Sequence, residues 1–198
     1  MKQNSKQDLR FIKNENLIRE TFRKMLCEMD YSKISIKELT QRAQINRKTF
    51  YLHYTSLDHL LAVLQLEIME PTFQMIAQTS FPEDVEIIIR KSFEIMASLD
   101  STDKLILSCK GDFPEKKSPS DLIRDQLFKK YDRISKYGPF ESNLIITYFS
   151  VCLGVVFRQW ETKGQQIPLE EMIQLTTQMI LHGLEGVGLV SEEKSVHA

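Results

Sequence analysis

Hydrophobic side chains recur at helical spacing along almost the whole chain. Between about residues 13 and 29 they follow the i, i+4, i+7, i+8 pattern that places them on one face of an α-helix. Only 7 glycines and 6 prolines interrupt the 198 residues. The sequence therefore predicts an all-α fold of about nine helices. Five longer helices are expected in the second part of the chain, at about 82–99, 102–109, 119–135, 140–163 and 169–187.

Capping signals divide the first 70 residues into four helices. Ser35 and Glu38 have the spacing of a capping box, in which each side chain bonds the other residue's backbone N–H, and they begin a second helix. Asn46 is expected to cap a third short helix. Ser56 is expected to cap a fourth, which ends or kinks at Pro71 because proline has no backbone N–H.

The net charge of −1 conceals an asymmetry along the chain. Residues 1–66 carry 12 Lys and Arg against 7 Asp and Glu, a net charge of +5, and residues 67–198 carry −6. A basic segment attached to an acidic one indicates that only the first meets a polyanion.

Several function classes find no support in the residue pattern. No His, Cys, Asp and Glu cluster has metal-ligand spacing, and neither a glycine-rich phosphate loop nor a nucleophile motif occurs. We therefore expect no metal, no cofactor and no enzyme activity. Three cysteines in apolar, helix-like stretches (Cys27, Cys109 and Cys152) are typical of reduced thiols in a cytoplasmic protein. The longest charge-free stretch, 142–157, is short for a membrane span.

Residues 34–54 predict two short helices joined by a three-residue turn, the layout of a helix-turn-helix. In that motif the N-terminal end of the second helix enters the DNA major groove, where Arg and Lys read guanine or hold phosphates. A basic, solvated helical hairpin is the alternative. The candidate DNA contacts are Ser35, Lys37, Asn46, Arg47, Lys48, Thr49, Tyr51, His53 and Tyr54.

Residues of about 10–70 resemble the TetR family of bacterial transcriptional regulators. The resemblance rests on the first helix and on two further segments, Ile34-Ser35-Ile36-Lys37-Glu38-Leu39 and Ile45-Asn46-Arg47-Lys48-Thr49-Phe50-Tyr51-Leu52-His53-Tyr54, the second of which is followed by the helix that contains Leu60 and Leu61. More weakly, 154–160 and 183–186 are similar to the branch that contains dihydroxyacetone-kinase operon regulators. Two positions depart from the family pattern. Gln44 occupies a turn position that is usually Gly and is expected to need a positive φ, and Leu57 replaces a common phosphate-binding Lys.

The resemblance implies a DNA-binding domain at residues 1–66 and an effector-binding and dimerisation domain at 67–198. Aromatic, methionine and cysteine side chains are candidates for an effector pocket, although most such residues at helical spacing belong to a core. They are Phe93, Met96, Phe113, Tyr131, Tyr148, Phe149, Cys152, Phe157 and Trp160.

The last two helices are apolar enough to suggest a symmetric four-helix dimer interface, as the family resemblance also implies. The candidate interface residues are Gly154, Met172, Thr176, Met179, Ile180, Gly183 and Val187. These features together predict a homodimeric, ligand-responsive regulator that binds double-stranded operator DNA. The alternative is a co-regulator (adaptor) that acts through a partner protein, since the branch it resembles includes such regulators.

Overall fold

A computed structural model describes residues 2–109, 119–130 and 137–189. Over these ranges the chain is all-α, with nine α-helices and one short 3-10 helix at Tyr31–Lys33, which confirms the predicted fold class. The α-helices are α1 (Lys2–Glu28), α2 (Ile36–Arg42), α3 (Arg47–His53), α4 (Leu57–Gln78), α5 (Val85–Ser98), α6 (Ser101–Ser108), α7 (Pro119–Lys130), α8 (Pro139–Thr162) and α9 (Leu169–Gly186).

The chain forms two compact units. The first unit comprises Met1–Ile68 and Asp100–Lys116, and the second comprises Met69–Leu99 and Lys117–Ala198. Helix α6 therefore belongs to the first unit, whereas the sequence analysis assigned its residues to the second domain. The reason is packing at a distance in sequence, because Ile106 of α6 is fully buried in the first unit's core.

The first unit has a hydrophobic core built from α1 to α4 and α6. Phe22 of α1, Phe50 of α3, and Leu60 and Leu61 of α4 are all fully buried there. Gln65 of α4 is also buried, and its side-chain amide donates to the carbonyl oxygens at the end of α6. Helices α2 and α3 are thus held against a packed support.

Two predicted caps are present, one at the beginning of α2 and one at the beginning of α3. Ser35 Oγ accepts from the backbone N–H of Glu38 over 3.2 Å, and Asn46 Oδ1 accepts from that of Lys48 over 2.8 Å. The reciprocal half of the predicted capping box is replaced by a different contact, because the Glu38 carboxylate accepts from Arg42. The φ of Gln44 is +53°, which confirms the positive φ expected at this turn.

Helix α4 does not end at Pro71 but continues to Gln78. Proline at that position removes one intrahelical hydrogen bond. The residues beyond it, Met75 and Ile76, are buried in the second unit's core, and this burial offsets the lost bond. The prediction that the helix ends or kinks at Pro71 is wrong as to its end. Helix α1 likewise begins at Lys2, well before the predicted residue 13.

The second unit has a core formed by α5, α8 and α9 with the end of α4 and part of α7. Phe93 of α5, Phe149 and Phe157 of α8, and Ile173 and Leu181 of α9 are all buried in it. Phe93 and Phe157 contact each other with ring centroids 5.9 Å apart. The opposite face of α8 is exposed to solvent.

Two helices, α4 and α8, are long and apolar enough to cross a membrane by length and composition alone. The core helices of water-soluble proteins meet the same criterion, and each of these two buries one side against other helices. The sequence analysis expects no membrane segment, because the charge-free stretch 142–157 is short for a membrane span, and this expectation stays a prediction.

Candidate nucleic-acid interface

Helix α3 turns one side into the core and the other to solvent. Phe50 is fully buried, while Arg47, Lys48, Tyr51 and Leu52 are exposed on the opposite side. The spacing explains this arrangement. Tyr51 and Leu52 each lie one helical turn, four residues, after Arg47 and Lys48, so all four side chains share one half of the helix. We call these four exposed residues the α3 face.

Two of its residues are organised with respect to each other. Arg47 Nη2 donates to the Tyr51 hydroxyl over 3.1 Å, and the guanidinium carbon lies 5.6 Å from the centre of the Tyr51 ring. The contact is a cation–π arrangement one helical turn apart. It holds an arginine and a phenol together at the surface while leaving the other guanidinium N–H groups available.

The cations around the α3 face differ in whether they are paired. Arg42 is bound to the carboxylates of Glu28 and Glu38, so its charge is locally neutralised. Among the described residues, the exposed Lys37, Arg47 and Lys48 have no ion pair. Their charge remains available to a polyanion.

The other predicted DNA contacts divide into two kinds. Ser35 and Asn46 are exposed, but each has a side-chain oxygen engaged in a helix cap. Thr49 and His53 are half-buried at the edge of the α3 face. The His53 ring stacks on Phe11, with centroids 3.9 Å apart, and both of its ring nitrogens are buried without a hydrogen-bond partner. Burial lowers the pKa of His53 below its ordinary value.

Tyr54 is the one predicted DNA contact that the structure contradicts. Its side chain is only 3% exposed, and its hydroxyl accepts from Arg19 Nε over 2.8 Å. Arg19 also forms ion pairs with Glu15 and with Glu67. Burial raises the pKa of the Tyr54 phenol. Tyr54 therefore anchors the end of α3 to α1 and α4 and does not reach outward.

Sequence reasoning missed two features of this region. Leu52 is 72% exposed on the α3 face, and its place one turn after Lys48 was the available signal. The contacts of Arg19 with Tyr54 and with Glu67 had no local signal in the sequence, since these residues lie 35 and 48 positions from Arg19 along the chain.

The second unit contains a cavity of about 280 Å³. Of the predicted effector-pocket residues, Met96 and Phe149 line it, and so does Gly154, which was predicted at the dimer interface. The lining residues that were not predicted are Thr72, Met75, Ile76, Ile88, Ser92, Leu127, Ser150, Val151, Leu153, Val155 and Arg158.

Of the remaining predicted pocket residues, those that the structure describes do not line this cavity. Phe93 and Phe157 are packed in the core, which corrects their assignment to the pocket, and Trp160 donates from Nε1 to a backbone carbonyl oxygen, that of Ile167, over 2.8 Å. Tyr148 is 57% exposed on the far side of α8, and Cys152 is half-buried without lining the cavity. Phe113 and Tyr131 lie outside the described residues.

A wider groove of about 430 Å³ lies between α5 and α9. Its lining is rich in charged side chains, including Glu86, Lys91 and Glu94. Arg90 also lines it and binds both carboxylate oxygens of Glu170, at 2.6 and 2.7 Å. The groove is a solvated surface in which acids and bases are mixed.

An exposed apolar stripe runs along α8, and two of its members, Val151 and Val155, also border the cavity described above. Its members, at spacings of three and four residues, are Phe140, Leu144, Tyr148, Val151 and Val155. On α9, Leu175 and Met179 are exposed large apolar residues, and Gly183 and Val187 continue the same side of the helix. We call the exposed apolar residues of both helices the α8/α9 stripe. Large contiguous patches of exposed apolar surface are unusual on monomeric proteins.

Some of the predicted dimer-interface residues are buried within the chain and do not belong to this exposed surface. Met172, Thr176 and Ile180 are buried in the second unit's own core, so their assignment to an interface is wrong. A Cβ added at Gly154 or at Gly183 would have no atom within 4 Å, so no other helix of the chain packs closely against either glycine. Which side of α8 and α9 is buried therefore depends on tertiary packing and cannot be read from the spacing of apolar residues.

No protein-family model matches this chain, and no curated protein matches it in a sequence comparison. Within the described ranges, no group of three or more His, Cys, Asp and Glu side chains could hold a metal ion. The resemblance to TetR regulators therefore rests on the helix-turn-helix residues themselves.

Proposed function

We propose that the chain is a sequence-specific DNA-binding transcriptional regulator of TetR type, with α3 as the helix that reads the major groove. The observation that carries the proposal is the α3 face, where two unpaired cations, a phenol and an apolar side chain project from one short, well-supported helix. These groups match what a major groove offers, namely guanine edges, phosphates and the thymine methyl group.

The support behind α3 favours the same function. The Asn46 cap fixes the beginning of the helix, and the Arg19–Tyr54 contact fixes its end. Base readout requires side chains to be held in one register, and a helix anchored at both ends meets that requirement. A merely solvated basic hairpin has no need of a buried anchor at its last residue.

We further propose that the chain acts as a homodimer that pairs through the α8/α9 stripe. Two copies would cover apolar surface that a monomer leaves in water. A twofold dimer presents two copies of α3, and two half-sites about one helical turn apart, ~34 Å or a multiple of it, would then be bound together. The tethering of two DNA-binding units raises affinity through effective concentration.

The test is selection of duplexes from a random library by the purified full-length protein, followed by titration of the selected duplex. We expect a preferred sequence with twofold symmetry. Arg47→Ala and Lys48→Ala should each weaken binding by about 1–3 kcal/mol if the side chain contacts a base. If it contacts only phosphate, the loss should be the same for all sequences and the salt slope should fall by about one.

The matched control is Lys163→Ala, which removes an exposed cation of the second unit and should leave DNA binding unchanged. Unchanged binding by the Arg47→Ala, Lys48→Ala double variant would overturn the role of α3. The adaptor alternative predicts that the protein alone selects no duplex and that binding appears only with a partner protein.

A further inference from the structure

We infer that the cavity of the second unit binds an amphipathic carboxylate of medium chain length, with the carboxylate held by Arg158. The regulatory meaning of such binding rests on the proposed function, whereas the binding itself does not.

The inner wall of the cavity is apolar and well ordered by packing. Met75 of α4, Ile88 of α5, and Leu127, Phe149 and Leu153 are buried core residues that also line it. A wall of this kind favours a hydrocarbon group, because water inside the cavity finds few hydrogen-bond partners there.

Helix α8 presents a row of three residues, Ser150, Gly154 and Arg158, each one turn after the last, along one side of the cavity. At Gly154 an added Cβ would meet no atom within 4 Å, so the helix backbone itself borders open space. Gly154, which has no side chain, thus lies between the hydroxyl of Ser150 at one end of the row and the guanidinium of Arg158 at the other. An elongated ligand lying along α8 would meet each of them.

Among the described residues that line the cavity, Arg158 is the only charged one. Its side chain is exposed, and the described residues provide it with no ion pair. The other polar side chains on the lining, those of Thr72, Ser92 and Ser150, are neutral hydroxyls. An apolar cavity with a single unpaired guanidinium complements a ligand with one anionic end, and a carboxylate can accept two parallel N–H bonds from it.

The volume limits the length of that ligand. The cavity's volume of about 280 Å³ lies just below the ~300–1,000 Å³ that is typical of pockets for drug-sized ligands, so it suits a smaller molecule. Octanoate, with about ten non-hydrogen atoms, is of this size when its head lies at the mouth.

The probes are therefore octanoate, octan-1-ol and octylamine, which share one chain and differ in the charge of the head. Isothermal titration of the full-length protein should show octanoate binding about tenfold or more tighter than octylamine, since a charged hydrogen bond is replaced by repulsion. Octylamine binding as tightly as octanoate would overturn the inference, and so would the absence of octanoate binding to folded protein.

Variants separate the head from the chain. Arg158→Gln should reduce octanoate affinity about tenfold or more and leave octanol unchanged. Lys163→Gln, which removes an exposed cation at the end of the same helix, should change neither. Gly154→Leu places a side chain in the open space and should abolish binding of all chains while circular dichroism reports an intact helical fold. Undiminished octanoate binding by Arg158→Gln or by Gly154→Leu would overturn the inference.

The two proposals fail separately. Selection of a duplex by ligand-free protein tests the DNA-binding function without any probe. If a duplex is selected and octanoate does not bind, the cavity inference fails and the proposed function stands. If octanoate binds with the expected variant pattern and no duplex is selected, the reverse holds.

Discussion

Arg19 in α1 donates from Nε to the hydroxyl of Tyr54, the residue that directly follows α3, over a distance of 2.8 Å. The same guanidinium binds both carboxylate oxygens of Glu67 in α4, at 2.8 and 2.7 Å. One side chain thus connects three helices of the first unit. This connection joins the end of α3, the helix that carries the exposed Arg47 and Lys48, to α1 and α4.

Tyr54→Phe removes the hydroxyl but keeps the buried ring. We expect a loss of about 1–1.5 kcal/mol in the free energy of unfolding, because a partly buried hydrogen bond to a charged donor is lost. Urea denaturation measures it. The control is Tyr51→Phe, which removes an exposed hydroxyl bonded to Arg47 and should cost about 0.5 kcal/mol or less. Equal losses in the two variants would mean that the Tyr54 hydroxyl has no anchoring role.

Gln44→Gly should raise the melting temperature. At φ of +53° the Cβ of Gln44 is crowded by the backbone, and glycine removes that crowding at a smaller entropic cost, for a gain of about 0.5–1 kcal/mol. The control is Gln41→Gly, in which an exposed residue of α2 with ordinary helical geometry is replaced, and it should lose about 0.5–1 kcal/mol. Thermal melts at matched concentration compare them, and a lower melting temperature for Gln44→Gly would contradict the strain argument.

The stability of the first unit should fall as the pH drops through about 6.5. Burial lowers the pKa of His53 in the folded chain, with a smaller opposing effect from Glu15 and an additional lowering by Arg19. The unfolded chain therefore takes up a proton at a higher pH than the folded one, so acid favours unfolding and the stabilising contribution is fully present above pH 6.5.

Urea melts between pH 5 and pH 8 measure this dependence. His53→Gln should reduce it, and Phe11→Ala should reduce it as well, because removal of the stacked ring admits water to the imidazole. A pH dependence identical in wild type and His53→Gln would assign the effect to other groups.

Met179→Glu should convert a dimer to monomers without unfolding the chain. Met179 is 61% exposed within one chain, so a carboxylate there is solvated in the monomer and buried only in the proposed pair. Sedimentation velocity at micromolar concentration checks it, and circular dichroism confirms the fold. Gln174→Glu adds the same charge at an exposed position on another side of α9 and should remain dimeric. A monomeric wild-type protein would contradict pairing through the α8/α9 stripe.

Some features were predictable because their causes lie within four residues along the chain. The caps at Ser35 and Asn46 are set by neighbouring backbone groups and were predictable from the residues, whereas the positive φ at Gln44 was expected from the resemblance to the family. The exposed Arg47 and Lys48 followed from their place at the start of a capped helix. Helical spacing likewise indicated an all-α chain.

Other features required the folded chain. The burial of Tyr54, the continuation of α4 through Pro71 and the packing of α6 in the first unit each depend on residues distant in sequence. Helix α8 is the sharpest case, since apolar residues cover it nearly all round and periodicity cannot say which side enters the core. Local sequence determines that a helix forms, because its hydrogen bonds and caps are local. Only tertiary packing decides which side is buried, because burial depends on partners from elsewhere in the chain.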